Sequence, residues 1–166
     1  MFGVLEFSIE MVSNGIQPII GIQVNISGVT NLDNSIGEVV LIAKNEIGYK
    51  NLLVLTSKLS NNSEFDKFIN FEDLKNYRDG IILLTGGIEN GFVGKPASLG
   101  NIKLVNERLG VLKELFEDNL YIELQRHGIK SQINAEKILL DASENFDLPL
   151  VCLLYTSDAA DDMQCV

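Results

Sequence analysis

Histidine is almost missing from this chain of 166 residues, in which His127 stands alone. A hydrolytic metal centre needs several His, Asp or Glu ligands converging around an open coordination position, so one imidazole cannot build it. Cysteine is scarce too. Cys152 and Cys165 lie near the end of the chain with twelve residues between them, neither a zinc-ligand pair spacing nor a disulfide framework, and they carry no inference about redox chemistry. Basic residues are few: 13 Lys and Arg against 23 Asp and Glu leave a net charge of -10. That balance argues against an electrostatic clamp on DNA in this segment, because phosphate binding needs clustered Lys and Arg. No apolar run approaches the roughly 20 residues of a membrane span, and the start lacks a basic stretch leading into a hydrophobic core and cleavage site, so the expected location is the cytoplasm. No Gly-x-Ser-x-Gly turn is present, which leaves covalent catalysis by a serine nucleophile unsupported.

What is there suits one domain with a real core: 46% hydrophobic and 22% charged residues at this length. Phe2, Leu5, Ile9 and Val12 recur at helical spacing before Asn14-Gly15, a helix stop. Residues 19–26 and 38–43 read as strands, and a loop rich in Asn, Ser, Gly and Asp separates them. Asn45 is the predicted N-cap of a helix over 46–59 with Tyr49, Leu52, Leu53 and Thr56 inward, and Asn70 caps a short helix over 71–77. A third buried strand spans 80–85, followed by a Gly-rich connector over 86–100. Ile102, Val105, Leu109, Leu112 and Phe116 mark one helix stripe; Ala135, Ile138, Leu139, Ala142 and Phe146 mark another. Between them lies a strand over 120–124, and a last strand begins at Leu148. Strands alternating with helices predict an α/β fold, a parallel sheet or barrel.

The stretch from Leu120 to Gly128 joins the clearest strand pattern to His127, which therefore stands just past the carboxyl end of a strand, where α/β proteins usually hold ligands and metals. A surface or core histidine is the competing reading. Glu123 falls on the strand face opposite Leu124, as a second ligand or a barrel-lining carboxylate, and is not assigned. The Gly94-Lys95 pair after a strand invites comparison with a phosphate loop, but Glu89 stands where the first glycine belongs and Pro96 where Ser or Thr would hold magnesium. A flexible connector is the expected role of that run.

Five segments in register resemble one family: Met1 to Phe7, Gln17 to Val24, Leu41 to Leu52, Gly80 to Gly87 and Ile122 to Gly128, with Leu148 to Val151 falling in order after them. Together they resemble the polymerase-and-histidinol-phosphatase (PHP) domain at the amino end of the bacterial replicative DNA polymerase III alpha subunit. The resemblance implies a distorted (β/α)7 barrel of mostly parallel strands, whose strand ends carry zinc or manganese ligands in active members. It puts His127 at a ligand position and Gln23 where active members have a ligand glutamate; an amide is a poorer ligand for a hard cation. The first two strands of the family, with their His-x-His motif, would precede Met1. The resemblance thus implies a degenerate, metal-poor branch with a vestigial His127 and no catalytic residue.

Residues 1–151 then form a partial PHP domain. The tail over 152–166 does not resemble the family, and Cys152 to Asp162 is what one frame of a transposon-type sequencing-library adapter would encode. Such segments are set aside in fold reasoning, which leaves residues 1–151 at a charge of -7 once Asp158, Asp161 and Asp162 are removed. The implied parent is a DNA-directed DNA polymerase, a nucleotidyltransferase of DNA replication using magnesium, of which this fragment holds a structural or interaction domain without the polymerase active site. Its implied partners are the other subunits of the replicative polymerase, the proofreading exonuclease among them. A truncated stand-alone metal-dependent phosphoesterase of the same superfamily is the alternative, and an unrelated α/β binding protein is a third reading.

Overall fold

The apolar runs pair into a six-stranded sheet in the computed structural model, which describes residues 3–27, 36–61, 68–126 and 130–153. The strands are β1 (Gly21–Ser27), β2 (Gly37–Ala43), β3 (Ile69–Asn70), β4 (Ile81–Leu84), β5 (Leu120–Leu124) and β6 (Leu150–Cys152), lying side by side in the order β3-β1-β2-β4-β5-β6. The sheet is open, with β3 and β6 at its edges, and it alternates along the chain with helices, consistent with the incomplete barrel the resemblance implies. β3, too short for any period to show, was not expected.

Most neighbours are parallel: β1 with β3, β4 with β5, and β5 with β6. β2 is the exception, antiparallel to both β1 and β4. Only residues 28–36 separate β1 from β2, fewer than the dozen or more that a parallel crossover needs, so the second strand must return alongside the first. The register sets Gln23 opposite Val40 and Asn25 opposite Glu38, which puts Gln23 and Glu38 diagonally across the pair on one face.

The helices are α1 (Val4–Ser13), α2 (Glu46–Asn61), α3 (Phe71–Asn76), α4 (Gly94–Ser98), α5 (Ile102–Phe116) and α6 (Lys130–Phe146). Asn45 Oδ1 accepts from Gly48 N at 3.0 Å and Asn70 Oδ1 from Asp73 N at 2.7 Å, so both expected caps form; Asn101 caps α5 in the same way, accepting from Leu104 N at 3.2 Å. The expected loss on Asn70→Ala is about 1 kcal/mol of stability, read as a lower urea midpoint at unchanged slope.

Alternation divides the sheet faces. Val39 and Leu41 of β2, Ile81 and Leu83 of β4, and Leu120, Ile122 and Leu124 of β5 are buried together with Leu52 and Leu55 of α2, Val105, Leu109 and Leu112 of α5, and Ala135 and Leu139 of α6. The inner face of α2 is therefore Gly48, Leu52 and Leu55, and Leu53, expected inward, is exposed. α1 forms between its predicted limits, but none of its residues is buried, and Leu5, Ile9 and Val12 face outward. No helix among the described residues is long and apolar enough to cross a membrane. β6 pairs with β5 through Cys152, opposite Leu124, and Leu153 N donates to Leu124 O at 3.0 Å. The rest of the stretch expected to be foreign, residues 154–166, lies outside the described residues, as does His127.

Candidate functional site: a polar pocket at the strand ends

The face of the sheet turned away from the helices becomes polar at the carboxyl ends of β4 and β5. A cavity of about 410 Å³ opens there, lined by Gln23, Glu38, Glu123, Gln125 and Gln132 and by the turn from Gly86 to Gly91. Glu123 follows from strand alternation: Leu120, Ile122 and Leu124 point to the helices, so the residue between them points to the pocket.

The Gly-rich run does not behave as a flexible connector. Ile88, Phe92 and Val93 are buried, and α4 begins at Gly94. Backbone bonds fasten the run to two strands: Glu38 N donates to Asn90 O and Phe92 N to Glu38 O, both at 2.8 Å, and Val93 N donates to Thr85 O at 3.3 Å. Glycine allows this closeness. Gly86 has φ 79°, and a Cβ on Gly91 would stand 2.0 Å from Gly87 O. From behind, Arg108 of α5 donates through Nη1 to Phe92 O and lies over the Phe92 ring, 4.2 Å from its centroid. A buried arginine in a helix otherwise read by its apolar stripe thus holds the pocket's rim in place.

Two carboxylate–carboxamide pairs occupy the pocket. Gln23 Nε2 donates to Glu38 Oε2 at 2.9 Å, and Gln125 Nε2 donates to Glu123 Oε1 at 2.7 Å. Glu123 is only 2% exposed, and its backbone N–H donates to Thr85 Oγ1 at 3.0 Å, joining the end of β5 to β4. Its Oε2 makes no hydrogen bond. Burial pushes the Glu123 carboxyl above its ordinary value, and the nearby Glu38 adds to this; the Gln125 amide and the Gly86 backbone N–H pull the other way. A carboxyl raised in the folded state stabilises the fold fully below its ordinary value of 4.5 and loses that contribution as pH rises through the raised value. Urea stability measured from pH 4.5 upward is therefore expected to fall for the parent by a component that Glu123→Gln lacks.

Of the residues singled out in the sequence, Gln23 lies in the pocket, and so does the unassigned Glu123. His127 falls outside the described residues; Arg126 beside it is anchored to Glu136 of α6 through both Nε and Nη2. The signal for Glu123 was present: one carboxylate inside an apolar strand, at the parity opposite the core. Gln23 presents an N–H donor to Glu38 at the position where the resemblance puts a ligand glutamate, and among the described residues no group of three or more His, Cys, Asp or Glu side chains is placed to hold a metal ion.

The chain matches the PHP domain over residues 1–127 and belongs to that family. Its relatives include proteins named DNA polymerase III subunit alpha from Rickettsia bellii, 33% identical with all of this chain covered, and from Haemophilus influenzae, 35% identical over 90% of this chain. The same name is carried by a relative from Caulobacter vibrioides, 32% identical over 91% of this chain. The chain spans about 15%, 13% and 14% of the length of these three relatives.

Proposed function

We propose that this chain is a piece of the alpha subunit of a replicative DNA polymerase, and that residues 1–151 serve it as a metal-free PHP domain, a structural platform for the assembly. The single observation that carries the reading is the uncharged amide of Gln23 bonded to Glu38 at the strand ends, in the place where the family resemblance puts a ligand carboxylate. The names of the relatives, DNA polymerase III subunit alpha, support a DNA polymerase as the parent, which we read as a magnesium-dependent nucleotidyltransferase of DNA replication in the cytoplasm. The chemistry of that parent belongs to the much larger remainder of such a protein. In this reading the domain contacts other subunits of the replicative polymerase, the proofreading exonuclease first, and the acidic surface leaves DNA to other parts. Residues 152–166 are a foreign tail, which the codons at the nucleotide level test directly.

Primer extension by the chain, supplied with primed template, deoxynucleoside triphosphates and magnesium, is expected to be nil. Extension that depends on the chain would refute the proposal. A truncated phosphoesterase of the same superfamily would instead hydrolyse p-nitrophenyl phosphate when given manganese.

A further inference from the structure

The pocket that we read as metal-free is lined for positive charge. Glu38, Glu89 and Glu123 line it, no Lys, Arg or His does among the described residues, and carboxamides supply most of the remaining polar lining. An anion would meet only like charge there. Glu123 Oε2 is a buried acceptor without a donor, and leaving such a group unmade costs more than an ordinary hydrogen bond returns. A guanidinium prefers a carboxylate with both oxygens open to its planar fork. Neither inner carboxylate offers that, because Gln125 occupies Glu123 Oε1 and Gln23 occupies Glu38 Oε2. An alkylammonium is a compact point charge with three donors, and it needs one strong acceptor and scattered weaker ones.

We propose that the strand-end pocket binds a primary ammonium group, with Glu123 Oε2 as its anchoring acceptor and the Glu38 and Glu89 carboxylates supplying the surrounding negative potential. The proposal rests on the metal-free reading of the same pocket. The ammonium comes from a lysine side chain of a polypeptide or from a free polyamine, two sources of one chemistry. Bound there, it supplies the charge neutralisation that metal ions give at the strand ends of active family members.

The test is a titration of the full chain at fixed ionic strength with Nα-acetyl-lysine amide, spermidine, Nα-acetyl-arginine amide and manganese chloride, followed by thermal stability and by the side-chain amide NMR signals of the glutamines. Saturable binding of acetyl-lysine amide or spermidine, at least about tenfold weaker in Glu123→Gln and weaker for acetyl-arginine amide, is the expected result. A preference for acetyl-lysine amide identifies a protein side chain as the source, and a preference for spermidine a polyamine. Glu38→Gln, expected to weaken binding less, keeps the test open should Glu123→Gln fail to fold. Absence of amine binding together with absence of manganese binding overturns the ammonium proposal and leaves the metal-free reading standing. Saturable manganese binding that Glu123→Gln abolishes overturns both.

Discussion

Gly91→Ala is expected to cost on the order of 3 kcal/mol or more, enough to abolish a sharp urea transition in a domain of ordinary stability. The added methyl would stand 2.0 Å from Gly87 O, 2.4 Å from Gly86 C and 2.5 Å from Gly86 O, all backbone atoms that no rotamer change can move. Gly91 cannot retreat, because its own N–H donates to Gly87 O at 2.8 Å and its neighbours Asn90 and Phe92 are bonded to Glu38 on either side. Relief of the clash would part the turn from β2 and dismantle the pocket's rim. Gly100→Ala is the control: its φ of 72° carries backbone strain, but nothing lies within 4 Å of the new methyl, so the effect stays near 1 kcal/mol. Equal losses for the two variants, measured by urea unfolding, would show that the close approach at Gly91 is not what holds the turn.

Phe92→Ala is the second large effect, about 3–5 kcal/mol. The ring is among the largest fully buried side chains of the fold, and its loss leaves a cavity between the Gly-rich turn and α5. It also strips the face from the Arg108 guanidinium, which is itself only 4% exposed and would stand beside that cavity. Phe92→Leu fills most of the volume but offers no π face. Its expected loss is smaller, and the difference between Leu at 92 in the parent and in an Arg108→Met background isolates the ring–guanidinium contact, worth about 1–2 kcal/mol when buried.

Much of the scaffold was legible because it depends on local rules. β5 was bounded correctly at Leu120 and Leu124, and the stripes of α5 and α6 face the core apart from the exposed Ile102 at the start of α5. Asn45 and Asn70 cap as their positions before helical runs predicted. What escaped was set by tertiary context. The direction of β2 is not written in its alternation; it follows from the short connection 28–36. The inner face of α2 turned on whether Leu53 or Leu55 met the sheet, two residues of equal hydrophobicity, and the close packing of Gly48 against Gly80 chose Leu55. Glycines 86, 87, 91 and 94 read as flexibility because a glycine that permits movement and one that permits contact look the same in a sequence. Of the pocket, the sequence disclosed Gln23 through the family resemblance and left Glu123 as an open parity argument, since burial and hydrogen-bond partners belong to the fold.

The relation between Gln23 and Glu38 has a consequence for the domain as a whole. In a site built for a cation, charge is neutralised by an ion, and removal of that ion loosens the strand ends. Here amide N–H groups already satisfy one oxygen of each inner carboxylate, so chelators are expected to leave the fold untouched.

Equilibrium dialysis of the folded chain against zinc and manganese, with metal per chain counted by atomic emission, tests the central claim most directly. The account predicts no stoichiometric uptake of either metal and the same result for His127→Ala. One equivalent of zinc or manganese bound by the parent chain and lost in His127→Ala would contradict it.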